Sequence, residues 1–516
     1  MKTAEILYFW KKSIIWSVCV ALMPTGLAMG APGPDPSFDP QATLHALTRR
    51  IDELERDNRK LHEALDEKGR EAGSAVGGPG VPGPSGVPAA PAVVATSISV
   101  MPQGSGHVSV TGVTSSTSVL GSSALALSAP TVEVFGRINV DHWSIIDSRG
   151  GIGALEHPST NFDPEDRTEF RRVRMGMEGK RASSQIYKFE VDFANPNSAT
   201  IKDAYIGFED VPVLQTVLIG NQKRPLGLDH LNSSKYNVFL ERPLVVEAFN
   251  EDARRFGVAA YGRNAGGDLN WRAGVYNLEN ISGDGHFLGD SLQLSLNGRV
   301  SGTPWWEDGG QRYLHLGLAG MWAHPDGDVD SAQTNANENR FRTRPEFRTE
   351  SRWIDTGRIA GTEEYTVAAA EAVLNLDSVS LVGEYQRSHV ERTGRLGPAF
   401  AGGYVYVSWF LTGEHQPFDR RSGTLARVKP RHPFEFTGKG WGAVQLAARA
   451  SVLNLSDRDI RGGYERNLSL ALDWWFNSHS RLQVNYVSGD IEEHASVNGF
   501  TDGDFSGVGT RFMLDF

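Results

Sequence analysis

Basic residues in this sequence lie in short clusters and are not spread evenly along the chain. Guanidinium groups held close together raise the local positive potential, and an anion bound among them relieves their mutual repulsion. A single arginine is more often part of a solvated surface, so it is the clustering that favours an anion site. The clusters are Arg171, Arg172 and Arg174, then Arg254 and Arg255, then Arg340, Arg342 and Arg344.

A second basic stretch, between residues 221 and 242, combines cations with hydroxyl groups. Ammonium, guanidinium and hydroxyl groups all donate hydrogen bonds to oxygen atoms, so the combination suits a small oxyanion. The residues concerned are Lys223, His230, Ser233, Ser234, Lys235 and Arg242.

The overall composition excludes several classes of protein. The 516 residues include 51 Lys and Arg against 62 Asp and Glu, a formal charge of −11, which disfavours a general nucleic-acid binder. The single cysteine, Cys19, excludes a disulfide scaffold and a cysteine-ligated metal site. The 14 histidines show no recognisable metal spacing such as H-E-x-x-H. We therefore expect no metal, no cofactor, no nucleic-acid partner and no enzymatic activity.

Beyond Val132 the sequence alternates between apolar and polar residues, which is the period of a β-strand with one apolar face. The segment from Ser291 to Asn297 is a clear example. We predict sixteen such strands, starting near residues 132, 172, 186, 201, 216, 255, 269, 291, 312, 366, 379, 404, 441, 467, 481 and 506.

The predicted connections alternate between long and short, as in an outer-membrane barrel with long external loops and short periplasmic turns. The connection over residues 412–440 is an exception, because it is long where a short turn is expected. In the last strand Phe512, Leu514 and Phe516 share one face. The fold class is therefore an all-β, 16-stranded antiparallel transmembrane β-barrel over residues 132–516, embedded in the outer-membrane lipid bilayer.

If the apolar face of each strand meets lipid, the charged face must line the lumen. On this basis Arg172 and Arg174 point inward from the second strand and Lys188 from the third. Arg137 and Arg255 point inward from the first and sixth strands. The basic stretch at 221–242 follows the fifth strand as the third external loop, so we expect it to fold inward and narrow the channel.

The N-terminal region divides into four segments of different composition. Residues 1–30 read as a signal peptide, with lysines, a short apolar core and small residues before Ala31. After a leader at 31–43, residues 44–72 carry an a/d heptad stripe with Asn58 at an a position, which predicts a short α-helical coiled coil and hence an oligomer. Residues 73–130 form a Gly/Pro-rich and then Ser/Thr-rich linker.

Several motifs in order resemble the phosphate-selective porin O and P family over roughly residues 132–516. They include E-F-R-R at Glu169, D-A-Y at Asp203, G-N-Q-K-R-P at Gly220, L-N-S-S-K at Leu231 and L-E-R at Leu240. The resemblance implies a homotrimer of barrels that passes phosphate or other small inorganic anions. It also implies an acidic residue, Asp203, near the constriction, and anion contacts at Arg137, Arg171, Arg172, Lys188, Ser233, Ser234, Arg242, Arg342 and Arg344.

One departure from the family pattern and two alternative functions stay open. Asp229 and His230 stand where a lysine is expected before the two serines, which favours a general anion-preferring pore over strict phosphate selectivity. A sugar-selective porin would need an aromatic path along the lumen. A structural tether would use the coiled coil, in the periplasm, to reach peptidoglycan. Deleting residues 31–130 would separate tethering from conductance.

Overall fold

The computed structural model describes residues 100–102, 108–111, 130–181, 184–250, 253–281, 288–289, 293–325 and 337–516. The predicted signal peptide, leader and coiled coil lie outside these residues and remain predictions. Within the predicted linker, Val100–Pro102 pairs with Val108–Thr111, which in turn pairs with the start of the first barrel strand.

Sixteen antiparallel strands form one closed barrel. Each strand pairs with the next along the chain, and the last pairs with the first. The strands are β1 (Thr131–Gly150), β2 (Arg167–Arg181), β3 (Gln185–Asp192), β4 (Thr200–Val211), β5 (Gln215–Lys223), β6 (Arg254–Arg263), β7 (Leu269–Asn277), β8 (Leu294–Glu307), β9 (Arg312–His324), β10 (Thr362–Leu376), β11 (Val379–Arg392), β12 (Ala399–Phe410), β13 (Ala443–Asp457), β14 (Ile460–Trp475), β15 (Ser480–His494) and β16 (Gly503–Asp515).

The seam between β16 and β1 leaves no free sheet edge at the C-terminus. The backbone N–H of Phe516 donates to the Gly136 carbonyl at 3.1 Å, and the Gly136 N–H donates to the Phe516 carbonyl at 3.0 Å. A side chain at Gly136 would collide with the Phe516 ring, because an added Cβ would lie 2.4 Å from that ring. Glycine at position 136 therefore leaves room for the Phe516 ring beside the backbone pairing that closes the barrel. A closed barrel satisfies the backbone polar groups of every strand.

The strands place apolar side chains outside and polar side chains inside, as the alternation predicts. In β16, Phe512 and Leu514 are 48% and 44% exposed, whereas Arg511 is buried at 1%. Within the part of the chain that the structure describes, no helix has both the length and the apolar character needed to cross a membrane.

Among the residues that the structure describes, three connections fold into the lumen and pack there. The first is the segment between β5 and β6, which contains the short helices α2 (Leu228–Leu231) and α3 (Leu244–Phe249). A further short helix, α1 (Ile152–Glu156), follows β1. The second, between β9 and β10, buries Phe347 and Trp353 against Phe505 of the barrel wall. Apolar side chains of these segments belong to one buried cluster with inward residues of the wall.

The third inward segment is the long connection over residues 412–440, between β12 and β13. Its Leu425 backbone N–H donates to Asn232 Oδ1 at 3.0 Å, so it touches the β5–β6 segment directly. Arg427 forms an ion pair with Asp515 at the end of β16. The extra length therefore contacts the segment that narrows the lumen.

Candidate anion-conducting lumen

A cavity of about 620 Å³ lies in the lumen beside the β5–β6 segment, which we call the constriction loop. Its lining contains eleven basic side chains and four acidic ones. The basic residues are Arg137, Arg171, Arg172, Arg174, Lys188, Lys202, Lys223, Lys235, Arg242, Arg254 and Arg272, and the acidic residues are Glu133, Glu178, Glu190 and Asp203. Ser233, Ser234, Tyr205 and Thr424 also line the cavity.

A β-bulge brings two adjacent arginines into this cavity. In the pairing of β1 with β2, Asn139 is opposite Arg172 and Val140 is opposite Phe170, so Arg171 is an extra residue. An extra residue locally breaks the alternation of faces, which lets neighbouring side chains point the same way. Both Arg171 and Arg172 therefore line the cavity.

A second irregularity brings in a lysine that alternation alone does not predict. In the pairing of β3 with β4, Lys202 and Asp203 together face the single residue Glu190. Both side chains line the cavity. The sequence carries no bulge signal at this point, so simple alternation assigns only one of the two residues to the lumen.

Most of the arginines are held in place by carboxylates. Arg171 donates two hydrogen bonds to Glu241, at 2.8 and 2.9 Å, from β2 to the constriction loop. Arg254 donates two to Asp203, at 2.6 and 3.0 Å, within the wall. Bidentate pairs of this kind fix the plane of each guanidinium. The cations therefore form a preorganised lining that needs little rearrangement to meet an anion.

More of the positive charge is balanced by carboxylates behind the lining. Arg174 pairs with Asp192 at 2.7 Å, and Lys235 lies 3.3 Å from Asp515. Glu241 pairs with Arg171, and Asp229 pairs with Arg242. These four carboxylates add to the four in the lining. The eleven cations therefore still exceed the nearby carboxylates by about three charges.

Lys223 holds the constriction loop and is not a free cation. Its Nζ donates to the carbonyls of His230, Leu231 and Asn232 at 2.8, 3.1 and 2.8 Å. A cation at the carbonyl end of a helical turn satisfies acceptors that the turn leaves unpaired. The expected anion contact at Lys223 is therefore primarily a structural contact, although the side chain does line the cavity.

The other end of α2 is held by a carboxylate on the wall. Glu384 of β11 accepts hydrogen bonds from the backbone N–H groups of Leu228, at 3.1 Å, and Asp229. Lys223 and Glu384 thus fix α2 at both ends. The position of the constriction loop is set by polar side chains at opposite ends of one short helix.

Arg172 and Lys202 are the cavity cations with the fewest bonds to the protein. Arg172 is 8% exposed, and its buried Nε and Nη1 atoms have no hydrogen-bond partner. Among the described residues, Lys202 forms no side-chain hydrogen bond and no ion pair within 4 Å. Burying a guanidinium with unpaired N–H groups is costly, so a movement of the side chain that turned them toward an oxyanion in the cavity would be favourable.

Four expected site residues lie outside this cavity. Arg255 donates from Nε to the Leu278 carbonyl at 2.9 Å, on the inner wall. Arg342 and Arg344 belong to the inward segment between β9 and β10, where Arg344 donates to the Thr349 carbonyl at 2.9 Å. His230 is buried in α2 at 1% exposure. The cavity also includes Arg254, which the sequence marked only as part of a basic cluster, and Lys202 and Arg272, which the sequence did not mark.

His230 should not contribute a pH-dependent anion contact. Burial and the nearby charge of Lys223 hold the pKa of its imidazole well below the usual value of 6.5. A histidine with a lowered pKa stays neutral as the pH falls through its ordinary titration range. We therefore expect the pH dependence of sulfate block of the chloride current between about pH 8 and 6 to be the same in the wild type and in His230→Gln. Block that strengthens in the wild type but not in His230→Gln would contradict this placement.

Among the described residues, no group of three or more His, Cys, Asp or Glu side chains could hold a metal ion. The basic lining of the cavity, in which most cations have carboxylate partners, suits small anions in water.

Comparison with known proteins supports the same class of protein. A family model for phosphate-selective porin O and P matches residues 149–516. An uncharacterised protein of Caulobacter vibrioides is 30% identical over 353 residues, which cover 67% of this chain and 68% of the relative.

Solved structures with a similar fold include a porin and an outer-membrane channel. An anion-selective porin from Comamonas acidovorans is 13% identical, with a TM-score of 0.43 over 75% of this chain and all of that one. The channel DcaP of Acinetobacter baumannii is 12% identical, with a TM-score of 0.44 over 75% of this chain and 97% of that one. The family follows from the sequence matches alone: this chain belongs to the phosphate-selective porin O and P family and is an outer-membrane porin, not an enzyme.

Proposed function

We propose that this porin is an anion-preferring diffusion channel that admits phosphate among other small inorganic anions. The observation that carries the proposal is the excess of basic over acidic side chains around one cavity beside the constriction loop. A confined positive potential raises the local concentration of anions and lowers that of cations.

The ion pairs in the lining also explain how the channel could release an anion. A conducting site must bind an ion strongly enough to admit it and weakly enough to let it leave. Because Arg171, Arg174 and Arg254 already have carboxylate partners, they offer an anion only part of their hydrogen-bonding capacity. The neighbouring cations Arg172 and Lys202 supply the remaining attraction.

Phosphate should reduce the chloride current of the purified channel, because its oxygen atoms can accept hydrogen bonds from several of these cations at once. We expect half-maximal block at a concentration well below that of the chloride carrier. Planar-bilayer recordings with phosphate titrated into a potassium chloride solution provide the measurement. Block by maltooligosaccharides but not by phosphate would instead favour the sugar-selective alternative.

We also propose the homotrimer and the periplasmic coiled coil that the sequence predicts, with peptidoglycan as a partner of the coiled coil. The heptad stripe of residues 44–72 supports these proposals. Deletion of residues 31–130 is the test: it should weaken attachment to the cell wall while the conductance of each barrel is unchanged.

A further inference from the structure

Glu190 lies where three guanidinium groups converge in the cavity. Its carboxylate is 3.3 Å from Arg137, 3.4 Å from Arg174 and 3.4 Å from Arg254. The residue is 4% exposed and lines the cavity from β3. A carboxylate surrounded in this way presents negative charge and oxygen acceptors to the guanidiniums, as a small oxyanion bound at that point would.

Each of the three arginines has a closer partner than Glu190. Arg137 donates to Ser234 Oγ at 2.8 Å, and Arg174 donates to Asp192 Oδ2 at 2.7 Å. Arg254 donates to Asp203 Oδ1 at 2.6 Å. The contacts to Glu190 are therefore the longest that each guanidinium makes with these partners. They are the contacts that an incoming anion would most readily replace.

The charges around Glu190 are balanced only when its carboxylate is ionised. The three arginines carry three positive charges, and Glu190, Asp192 and Asp203 carry three negative charges. Neutralising Glu190 would leave one positive charge in excess on a buried cluster. Such a cluster attracts an anion more strongly than the balanced cluster does.

We propose that Glu190 is a resident counter-anion that competes with the permeating anion for Arg137, Arg174 and Arg254. The inference rests on the proposed anion channel and concerns how its affinity is set. When an anion arrives, the guanidiniums exchange their long contacts with Glu190 for contacts with that anion. When the anion leaves, Glu190 takes its place, so no buried guanidinium is left short of an acceptor.

The substitution Glu190→Gln tests this competition directly, because glutamine keeps the shape and removes the charge. We expect the phosphate concentration that gives half-maximal block of the chloride current to fall about tenfold, and the residence time of each blocking event to lengthen. A half-blocking concentration that is unchanged or higher in E190Q would overturn the proposal.

Glu371→Gln is the matched control. Glu371 of β10 is also a buried lumen-facing carboxylate, bonded at 3.1 Å to Arg299 Nε, but it lies outside the cavity lining. We expect E371Q to change the half-blocking concentration by less than about twofold. An equal shift in E190Q and E371Q would mean that the net charge of the barrel sets the affinity, which would also overturn the proposal.

The same recordings separate this inference from the proposed function. If the wild-type channel prefers cations, the proposed function as an anion channel is wrong. If the wild type prefers anions and E190Q binds phosphate no more tightly, only the role of Glu190 is wrong. Should E190Q fail to fold, Glu190→Asp withdraws the carboxylate from the arginines by one methylene, and an increase in phosphate affinity is again expected.

Discussion

Replacing Arg172 by glutamine is expected to weaken phosphate block of the chloride current by roughly tenfold, which corresponds to about 1.4 kcal/mol of binding free energy. Arg172 lines the cavity, and two of its nitrogens have no hydrogen-bond partner in the protein. A charge-assisted hydrogen bond to an anion is typically worth about 1.5–3 kcal/mol, so losing the guanidinium should be readily measured.

The stability of the Arg172→Gln variant distinguishes a ligand contact from a structural one. Because no protein group is paired with Nε or Nη1, we expect the thermal transition of the barrel to be unchanged or higher. Arg181→Gln is the matched control, since Arg181 lies on the same strand but is exposed at its end. Equal phosphate block in the wild type and R172Q, or an equal weakening of block in R172Q and R181Q, would show that Arg172 is not an anion contact.

Replacing Lys223 by methionine should release the constriction loop and raise the single-channel conductance. Methionine resembles the lysine chain in length but leaves the carbonyls of His230, Leu231 and Asn232 without their donor. Losing the partner of a buried polar group costs about 1–3 kcal/mol, enough to make the held position of the loop much less populated. We expect larger conductance levels, more current noise and a weaker preference for anions.

Two further lysine variants isolate the cause of that change. Lys223→Arg retains the charge and the donors, so its conductance should stay close to that of the wild type. Lys180→Met removes a lysine from the exposed end of β2, where it pairs with Glu209, and should leave the conductance unchanged. If K223M conducts like the wild type, the contacts of Lys223 do not hold the constriction loop in place.

The barrel could be predicted from the sequence because its main signal is local. Alternation over a few residues predicts each strand and its outward face, and the observed strands begin close to the predicted positions. The largest difference is at β14, which begins at Ile460 and not near residue 467. The prediction that Phe512 and Leu514 face outward was confirmed. Alternation is informative there because lipid selects apolar side chains along the whole strand.

The details of the cavity could not be predicted in the same way. A bulge inserts one residue without changing the local pattern, so Lys202 was not assigned to the lumen beside Asp203. His230 was expected to face the pore, but the packing of α2 under Glu384 and Lys223 buries it. That packing depends on contacts between residues far apart in the sequence. The inward course of residues 412–440 depends on the same kind of contact.

The zero-current potential of the purified channel in a potassium chloride gradient is the most direct test of whether the arginine-lined lumen selects anions. We expect a potential of the sign given by chloride carrying more current than potassium, and a smaller one in Arg172→Gln. A potential of the opposite sign in the wild type would show that potassium is preferred, and the basic lining of the cavity would then not control what the channel passes.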